Sequence, residues 1–189
     1  MPVSTVEGPP QKPDAMPFAA ARALGLSFRT MGDADLPFLR RLYASTRALE
    51  LSIVPWTDAQ KAAFLDQQFR AQHTHYQTHY ATAHWLVILR AGESIGRLYL
   101  DRWTHEYRLI DIAFLPEHCG QGLGAALLSD VIAEATADGK CVTIHVEKHN
   151  PAMRLYRRLG FVVVEDKGIY DLMRWTAPSA TLAQVNTAS

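Results

Sequence analysis

The sequence carries very little cysteine: Cys119 and Cys141 are the two thiols among 189 residues. Two cysteines are too few for a disulfide framework, and they lack the second pair of ligands that a structural zinc site needs. A chain of this kind suits a reducing compartment. We therefore predict a cytoplasmic protein that is not held together by disulfides or zinc.

Net charge is also absent, because 19 lysine and arginine side chains balance 19 aspartates and glutamates. A neutral chain produces no overall field that would attract a nucleic acid or an anionic membrane surface. No apolar run approaches the roughly 20 residues of a transmembrane helix. We therefore predict no nucleic-acid partner and no membrane span.

The composition that is present, with 48% hydrophobic and 20% charged residues, is typical of a soluble globular domain. The first 22 residues hold 5 prolines and no basic segment followed by an apolar one, which predicts a flexible arm without a secretory signal. The last residues are rich in Ala, Thr and Ser. We predict an arm over 1–22, a single domain over 23–176 and a flexible tail over 177–189.

Hydrophobic periodicity predicts alternating strands and helices between the two tails. The predicted elements are a strand at 24–30, helices at 36–49 and 59–80, strands at 84–89, 95–103 and 107–115, a helix at 122–137, a strand at 141–147, a helix at 150–159, and strands at 161–165 and 169–175. A strand meander followed by alternating elements implies an α/β domain, with a mixed sheet that carries helices on both faces.

A glycine-rich segment, C-G-Q-G-L-G at residues 119–124, joins the predicted strand 107–115 to the helix 122–137. Glycines let backbone N–H groups approach an anion, and a helix N-terminus adds unpaired donors and a positive dipole end. Together they predict a phosphate or pyrophosphate cradle, although a tight turn has the same composition. No lysine follows Gly124 as in a phosphate-binding loop, and Leu127 occupies the third glycine position of a dinucleotide fingerprint.

A second segment, N-P-A-M-R-L-Y-R-R-L-G-F at residues 150–161, follows about 30 residues later. Together the two segments resemble the GNAT superfamily of acyl-CoA-dependent N-acetyltransferases. The first is similar to its pyrophosphate motif (Q/R)-x-x-G-x-(G/A), with Gly122 and Gly124 in place. The second resembles the N-x-x-A-x-x-x-Y-x-x-x-G-F signature in loose form, through Asn150, Ala152, Tyr156, Gly160 and Phe161. The order of elements over 24–175 also matches.

The resemblance implies a central mixed, mostly antiparallel sheet with helices on both faces and a splay between the fourth and fifth strands. It implies acetyl-CoA as the acyl donor. Backbone groups at the end of the strand 107–115 would pair with the pantetheine arm. The implied coenzyme-binding residues are Ile112, Ala113, Phe114, Gln121, Gly122, Leu123, Gly124, Ala125, Asn150 and Ala152.

Cys119 departs from the family pattern, in which Gln or Arg is usual at this position. The backbone donors from Gln121 to Ala125 are unaffected, so we expect coenzyme binding to survive. A helix N-terminus can lower the pKa of a thiol, which leaves a nucleophilic role open beside that of an inert small residue.

Acetyl transfer to an amine requires a neutral nitrogen and a proton for the departing thiolate. At pH 7, a neutral lysine-like amine costs about 4.6 kcal/mol and a neutral α-amino group only about 1.1 kcal/mol, so a base matters most for the former. The resemblance places Tyr156 beside the thioester sulfur, which makes it the predicted acid. The other interpretation is a core tyrosine that only packs.

Asp111 is the predicted base. It stands in the apolar run L-I-D-I-A-F at 109–114, where partial desolvation makes a carboxylate a better proton acceptor. In the family an acidic residue on this strand often takes the role. The other interpretation is an ion pair across the sheet with Arg97, Arg102 or Arg108. Further candidates for the base are Glu106, His145 and Glu147.

The acceptor is predicted to be a primary amine of a small molecule or a peptide, with Trp56, Tyr76 and Tyr80 as candidates to select it. Exposed aromatics of this kind also occur at homodimer contacts. His75 and His79 have the spacing of a metal pair, but no nearby glutamate or cysteine completes a site, so we predict no metal.

The function that these observations favour is an N-acetyltransferase that works by direct attack in a ternary complex. Three alternatives stay open. They are a protein N-terminal or lysine acetyltransferase, a non-catalytic acyl-CoA-binding module, and an interaction protein whose glycine loop is only a turn.

Overall fold

A computed structural model describes residues 18–177 of the chain. The strands in this range are β1 (Leu26–Thr30), β2 (His84–Arg90), β3 (Glu93–Arg102), β4 (Glu106–Phe114), β5 (Cys141–Glu147), β6 (Val162–Lys167) and β7 (Tyr170–Trp175). The α helices are α1 (Ala19–Ala23), α2 (Leu36–Ser52), α3 (Asp58–His79), α4 (Leu123–Ala137) and α5 (Met153–Arg158). None of these helices combines the length and the apolar character needed to cross a bilayer.

The strands form one mixed sheet in the order β1-β2-β3-β4-β5-β7-β6. All neighbours are antiparallel except β4 and β5, which are parallel. The predicted α/β fold with a mixed, mostly antiparallel sheet is therefore confirmed. The helix predicted from residue 150 is assigned only from Met153, because Asn150 and the two residues after it form a turn in which Asn150 Oδ1 accepts a hydrogen bond from Ala152 N at 2.8 Å.

Helices cover both faces of the sheet. Successive residues of a strand point to opposite faces, so Leu98 and Leu100 of β3 face the main core with α1 and α4. Arg97 and Tyr99 face the other way, toward α2 and α3, where they contact side chains of α3. The smaller core between α2 and α3 centres on Leu39, Tyr43 and Phe69. The face under these two helices therefore carries buried polar groups, whereas the core on the opposite face is mostly apolar.

Helix α1 corrects the predicted N-terminal arm. The arm was expected to extend to residue 22, yet Phe18 and Ala21 are fully buried and α1 packs against α4. Proline content is a local property of the sequence. It predicts a mobile segment but carries no information on the tertiary contact between α1 and α4. Residues 1–17 and 178–189 of the predicted arm and tail lie outside the described residues.

Asp130 of α4 anchors α1, because its two carboxylate oxygens accept hydrogen bonds from Ala20 N at 3.0 Å and Ala21 N at 2.8 Å. Asp130→Ala leaves these first-turn donors without an acceptor, so we expect a loss of about 2 kcal/mol in the free energy of unfolding. For a chain of this size that corresponds to a fall of about 4–8 °C in melting temperature. The exposed neighbour Ser129→Ala is the control, and equal melting of the two variants would contradict this anchoring role.

The splay between β4 and β5 is present and has a local cause. The two strands pair from Glu106 opposite Cys141 to Leu109 opposite Ile144, and beyond that point they separate. In the neighbouring ladder the register passes from Tyr99 opposite Asp111 to Leu100 opposite Leu109, so Ile110 is an extra residue. Such a bulge increases the local twist and turns the strand away from its partner. Within the described residues, the end of β4 therefore has β3 on one side and no strand on the other.

Gly96 of β3 allows this end of β4 to lie close to its neighbour. A Cβ at this position would lie 2.5 Å from the carbonyl oxygen of Ala113, which no real side chain tolerates. The glycine thus permits the close approach of β3 to the last residues of β4.

Candidate active site

A cavity of about 210 Å³ opens where β4 and β5 separate. It is bordered by α2, α3 and the segment before α5. Both predicted catalytic residues, Asp111 and Tyr156, line it. The predicted coenzyme-binding residues that line it are Ile112, Ala113 and Asn150. The fold thus brings together residues that are up to 45 positions apart in the sequence.

Asp111 is held by a polar network under α3. Arg97 Nη2 donates to Asp111 Oδ2 at 2.7 Å and to Gln72 Oε1 at 3.1 Å, and the hydroxyl of Tyr76 donates to the same carboxylate at 3.4 Å. The side chains of Arg97 and Asp111 are only 4% and 14% exposed. The ion pair across the sheet that was considered for Asp111 is therefore present, with Arg97 as the partner, and it orients the carboxylate beside the cavity.

Tyr156 is almost fully buried, with its ring packed edge-on against Phe161 at a centroid distance of 5.6 Å. Within residues 18–177 its hydroxyl has no hydrogen-bond partner. Burial, and after it the charge of Asp111, raises the pKa of the Tyr156 phenol above its ordinary value. The phenol therefore keeps its proton at neutral pH and lies at the cavity wall.

The glycine loop forms the N-terminus of α4. Gly122 is the N-cap residue in a left-handed conformation (φ 80°), and within the described part of the chain no side chain caps the helix. The first helical bond runs from Ala126 N to the Gly122 carbonyl, at 3.0 Å. Among these same residues, the N–H groups of Leu123, Gly124 and Ala125 therefore have no acceptor. Three N–H groups at the positive end of a 15-residue helix suit an anion such as a phosphate.

This loop adjoins the end of β4 and the start of α5. A Cβ on Gly124 would lie 3.7 Å from both Phe114 Cε2 and Leu155 Cδ2, an ordinary van der Waals distance that places the loop against both elements. Gln121 braces the loop, because its Nε2 donates to the Glu117 carbonyl and its Oε1 accepts from Arg90, both at 2.7 Å. Ala152 packs against the main core, and its N–H is engaged by Asn150.

Cys119 does not have the low thiol pKa that its position before a helix suggested. Burial, and after it the nearby Glu117 carboxylate, raises the pKa of this thiol. Its Sγ donates to the Leu115 carbonyl at 3.5 Å. The helix dipole is outweighed because Cys119 lies outside α4, next to an acidic residue. The structure therefore favours an inert small residue over a nucleophile.

Glu147, a further candidate for the base, is paired with an arginine that sequence reasoning missed. Arg47 of α2 donates to both of its carboxylate oxygens, at 2.5 and 2.9 Å, and the Tyr170 hydroxyl adds a contact at 3.4 Å. The hydrogen bond from Arg47 lowers the pKa of Glu147. Arg47 and Glu147 are 100 residues apart, so no local pattern connects them. The pair ties α2 to β5 at the cavity.

The remaining candidates for the base differ in their positions. Glu106 accepts hydrogen bonds from Thr143 at 2.7 Å and forms an ion pair with Arg108 at 3.1 Å, and it does not line the cavity. His145 does line it. Burial, followed by the charges of Arg108 and Lys167, lowers the pKa of His145, so its ring is neutral at pH 7.

A second, larger cavity of about 670 Å³ adjoins the first, since Tyr76 and His145 line both. Tyr80 lines it as well, so two of the three aromatic residues predicted to select an acceptor are at a cavity. Trp56 packs instead against Phe64, with ring centroids 5.3 Å apart.

The histidine pair of α3 forms a local contact. The rings of His75 and His79 are 4.1 Å apart, and His79 Nδ1 lies 2.8 Å from the His75 carbonyl oxygen. Among residues 18–177 no group of three or more histidine, cysteine, aspartate or glutamate side chains is placed to hold a metal ion.

Solved structures with the same fold include several acetyltransferases. The PaiA N-acetyltransferase of Thermoplasma acidophilum, in complex with coenzyme A, is 15% identical over 80% of this chain and 98% of its own, with a TM-score of 0.60. The ribosomal-protein-S18-alanine N-acetyltransferase of Escherichia coli is 20% identical over 83% and 98%, with a TM-score of 0.53. A GNAT family acetyltransferase of Elizabethkingia anophelis with acetyl-CoA bound is 18% identical over 80% and 98%, with a TM-score of 0.51.

At these identities the structures show a shared fold. No curated protein matches the sequence significantly. The family assignment comes from the sequence profile described as the acetyltransferase (GNAT) family, which matches residues 44–161. That range is more than half of the chain, and it contains the glycine loop, the splayed strands and α5. The chain belongs to the GNAT family of acetyltransferases, which use acetyl-CoA.

Proposed function

We propose that the protein transfers an acetyl group from acetyl-CoA to a primary amine of a small molecule or a peptide, by direct attack in a ternary complex. The observation that carries this proposal is the position of Asp111 and Tyr156 on one cavity, at the point where β4 leaves β5. An acid and a base on one cavity are what amide formation from a thioester requires.

The described residues fit the coenzyme. The unpaired edge of β4 at Ile112–Phe114 offers backbone groups to an extended chain, as a neighbouring strand would. The unpaired N–H groups at the start of α4 would hold the pyrophosphate, together with the backbone of Gln121 and Gly122. Asn150 and Ala152 would border the site at α5. When bound, acetyl-CoA supplies the thioester carbonyl that an amine attacks.

In the proposed reaction Asp111 accepts a proton from the attacking amine. As the new C–N bond forms and the C–S bond breaks, Tyr156 gives its phenolic proton to the leaving sulfur and then recovers one from solvent. Asp111 then releases the accepted proton to solvent. The products are the acetamide and free coenzyme A, and both side chains return to their starting protonation states. Asp111 also provides a carboxylate that attracts the ammonium form in which most amines arrive at neutral pH.

A thermal-shift titration with acetyl-CoA, coenzyme A and ATP in parallel tests the coenzyme. Ligand at 100 times its dissociation constant stabilises a protein by about 2.7 kcal/mol, which corresponds to a rise of about 5–11 °C at this size. We expect this rise with both coenzyme forms and not with ATP. Release of free thiol on addition of amines then tests catalysis. A rise without thiol release for any amine would indicate the non-catalytic binding module.

Gly122→Asp and Gly139→Asp form a matched pair for the same titration. Both glycines adopt left-handed conformations, with φ of 80° and 67°, at opposite ends of α4. At either position, apart from the two adjacent residues in the chain, an added Cβ would lie more than 4 Å from every atom of the described residues. Both variants should therefore lose similar stability. We expect only Gly122→Asp to abolish the coenzyme-dependent rise, because it places a negative charge at the N-terminal donors. An equal rise in both variants would argue against phosphate binding by this loop.

A further inference from the structure

We propose that the acceptor is an amine that carries an anionic group, a carboxylate or a phosphate, and that Arg108 in the second cavity binds this anion. This inference rests on the proposed function and deepens it, because it names the chemical class of the substrate. It is carried by the distribution of charge over the two adjoining cavities and by the unsatisfied donors of Arg108.

The balance of acidic and basic side chains differs between the two cavities. Arg47 and Arg97 line the first cavity beside its acids, and Arg47 also lines the second. The acids Glu50, Asp111 and Glu147 line the first cavity and not the second. Arg108 and Lys167 line the second and not the first. No carboxylate lines the second cavity among the described residues. An amine with an anion at its far end matches this order, because the ammonium faces the acids and the anion faces the cations.

The guanidinium of Arg108 is buried, and part of its hydrogen-bonding capacity is unused within the described residues. Its side chain is 11% exposed, its charged end lies over the ring of Trp103 at 5.2 Å, and its Nη2 lies 3.1 Å from Glu106 Oε1. Its Nε and Nη1 atoms are buried and have no hydrogen-bond partner within residues 18–177. Unpaired buried donors are unfavourable, and an oxygen anion is the partner that a guanidinium binds best.

The surroundings of Arg108 reinforce this preference. Lys167 is 46% exposed at the rim, where it forms an ion pair with Glu165. His145 lines the same cavity, and after burial the charges of Arg108 and Lys167 lower the pKa of its ring. The hydroxyl-bearing side chain of Tyr80 also lines the second cavity and adds a neutral donor for oxygen atoms.

The same charges disfavour a polyamine. A diamine would place its second ammonium beside Arg108 and Lys167, where like charges repel and no carboxylate lines the wall within the described residues. A neutral alkylamine would leave the donors of Arg108 unpaired. The inference therefore orders three classes of acceptor, with anionic amines first, neutral amines second and diamines last.

The test is a panel of primary amines whose far end carries a carboxylate, a phosphate, a carboxamide or a second ammonium. The four end groups are compared at the same chain length, for each length from three to six carbons. Initial rates are measured as thiol release from acetyl-CoA. We expect kcat/KM for an anionic amine to exceed that of its carboxamide by at least about tenfold, the lower end of what a charge-assisted hydrogen bond provides. The carboxylate and phosphate members show which anion is preferred.

Arg108→Gln should bring the ratio of kcat/KM for the anionic amine to that for its carboxamide close to one, mainly through a higher KM for the anionic amine. The coenzyme-dependent thermal shift should be unchanged. Arg41→Gln, on an exposed part of α2, is the matched control and should keep the ratio. Lys167→Gln should reduce the ratio less, since its side chain is more exposed than that of Arg108. If Arg108→Gln does not fold, the wild-type panel and Lys167→Gln still decide the question.

Equal rates with carboxylate and carboxamide, or a preference for the diamine, would overturn this inference and leave the proposed acetyl transfer intact. Coenzyme binding without transfer to any anionic amine would overturn it as well. If neither coenzyme form raises the melting temperature, the proposed function itself fails. The thermal shift thus separates the two failures.

Discussion

Tyr156→Phe is expected to lower kcat about 100-fold, with no change in the affinity for acetyl-CoA and little change in stability. A positioned general acid contributes about 100-fold to 10,000-fold to a rate, and the substitution removes only the phenolic oxygen and its proton. That oxygen has no hydrogen-bond partner within residues 18–177, so no internal bond is lost. The ring keeps its packing against Phe161. The measurements are kcat by thiol release and the coenzyme-dependent thermal shift.

Tyr107→Phe is the matched control. Tyr107 is also buried, but its hydroxyl donates to Asp138 at 2.8 Å and also lies 3.2 Å from a Glu134 carboxylate oxygen, away from both cavities. This control should lower the melting temperature and keep kcat, the reverse of the pattern expected for Tyr156→Phe. Unchanged turnover in Tyr156→Phe would show that Tyr156 is a packed core tyrosine, which is the other interpretation of its position.

Local sequence patterns were sufficient to predict the positions of the elements that frame the site. The glycine segment at 119–124 predicted a strand-to-helix loop, and the structure places Gly122 in the left-handed conformation that only glycine adopts easily. Alternation in the β5 segment and helical spacing in α4 gave their positions to within about one residue. These features depend on neighbours in the chain, which is why they could be read without a structure.

The partner of Asp111 could not be predicted, because it depends on the strand register. Three arginines, Arg97, Arg102 and Arg108, were equally plausible across the sheet. The bulge at Ile110 places Asp111 opposite Tyr99, on the face that carries Arg97, whereas Arg102 lies on the other face of the sheet and pairs with Glu134. An apolar run gives no sign of an extra residue, since neither face of β4 is strictly polar.

Contacts across long stretches of sequence were missed for a similar reason. The pairing of Arg47 with Glu147 and the bracing of Gln121 by Arg90 join segments that are 100 and 31 residues apart. Composition was misleading for α1, whose burial against α4 is tertiary. The residues of α2 and α3 that border the cavities are therefore where the structure adds most, and they are among the residues that frame the proposed acceptor site.

Asp111→Asn is expected to lower both turnover and stability, and the two effects can be separated. Arg97 is 4% exposed and would keep its charge without a carboxylate partner. Breaking a buried ion pair on one side costs about 3–5 kcal/mol in the free energy of unfolding. If Asp111 is also the base, kcat falls most at low pH, where the amine is protonated, and least at high pH, where it loses its proton to solvent. Denaturant unfolding and a pH profile of kcat measure the two effects.

The double variant Arg97→Gln with Asp111→Asn distinguishes a base from a purely structural carboxylate. Removing both charges leaves no unpaired ion, so much of the lost stability should return. Turnover should stay low if Asp111 accepts the proton, because an amide cannot. Glu134→Gln is the control for ion-pair loss elsewhere, since Glu134 pairs with Arg102 at 2.7 Å on the opposite face of the sheet, and it should keep kcat. If turnover in the double variant recovers along with stability, Asp111 serves to hold Arg97, and the proton leaves the amine by another route.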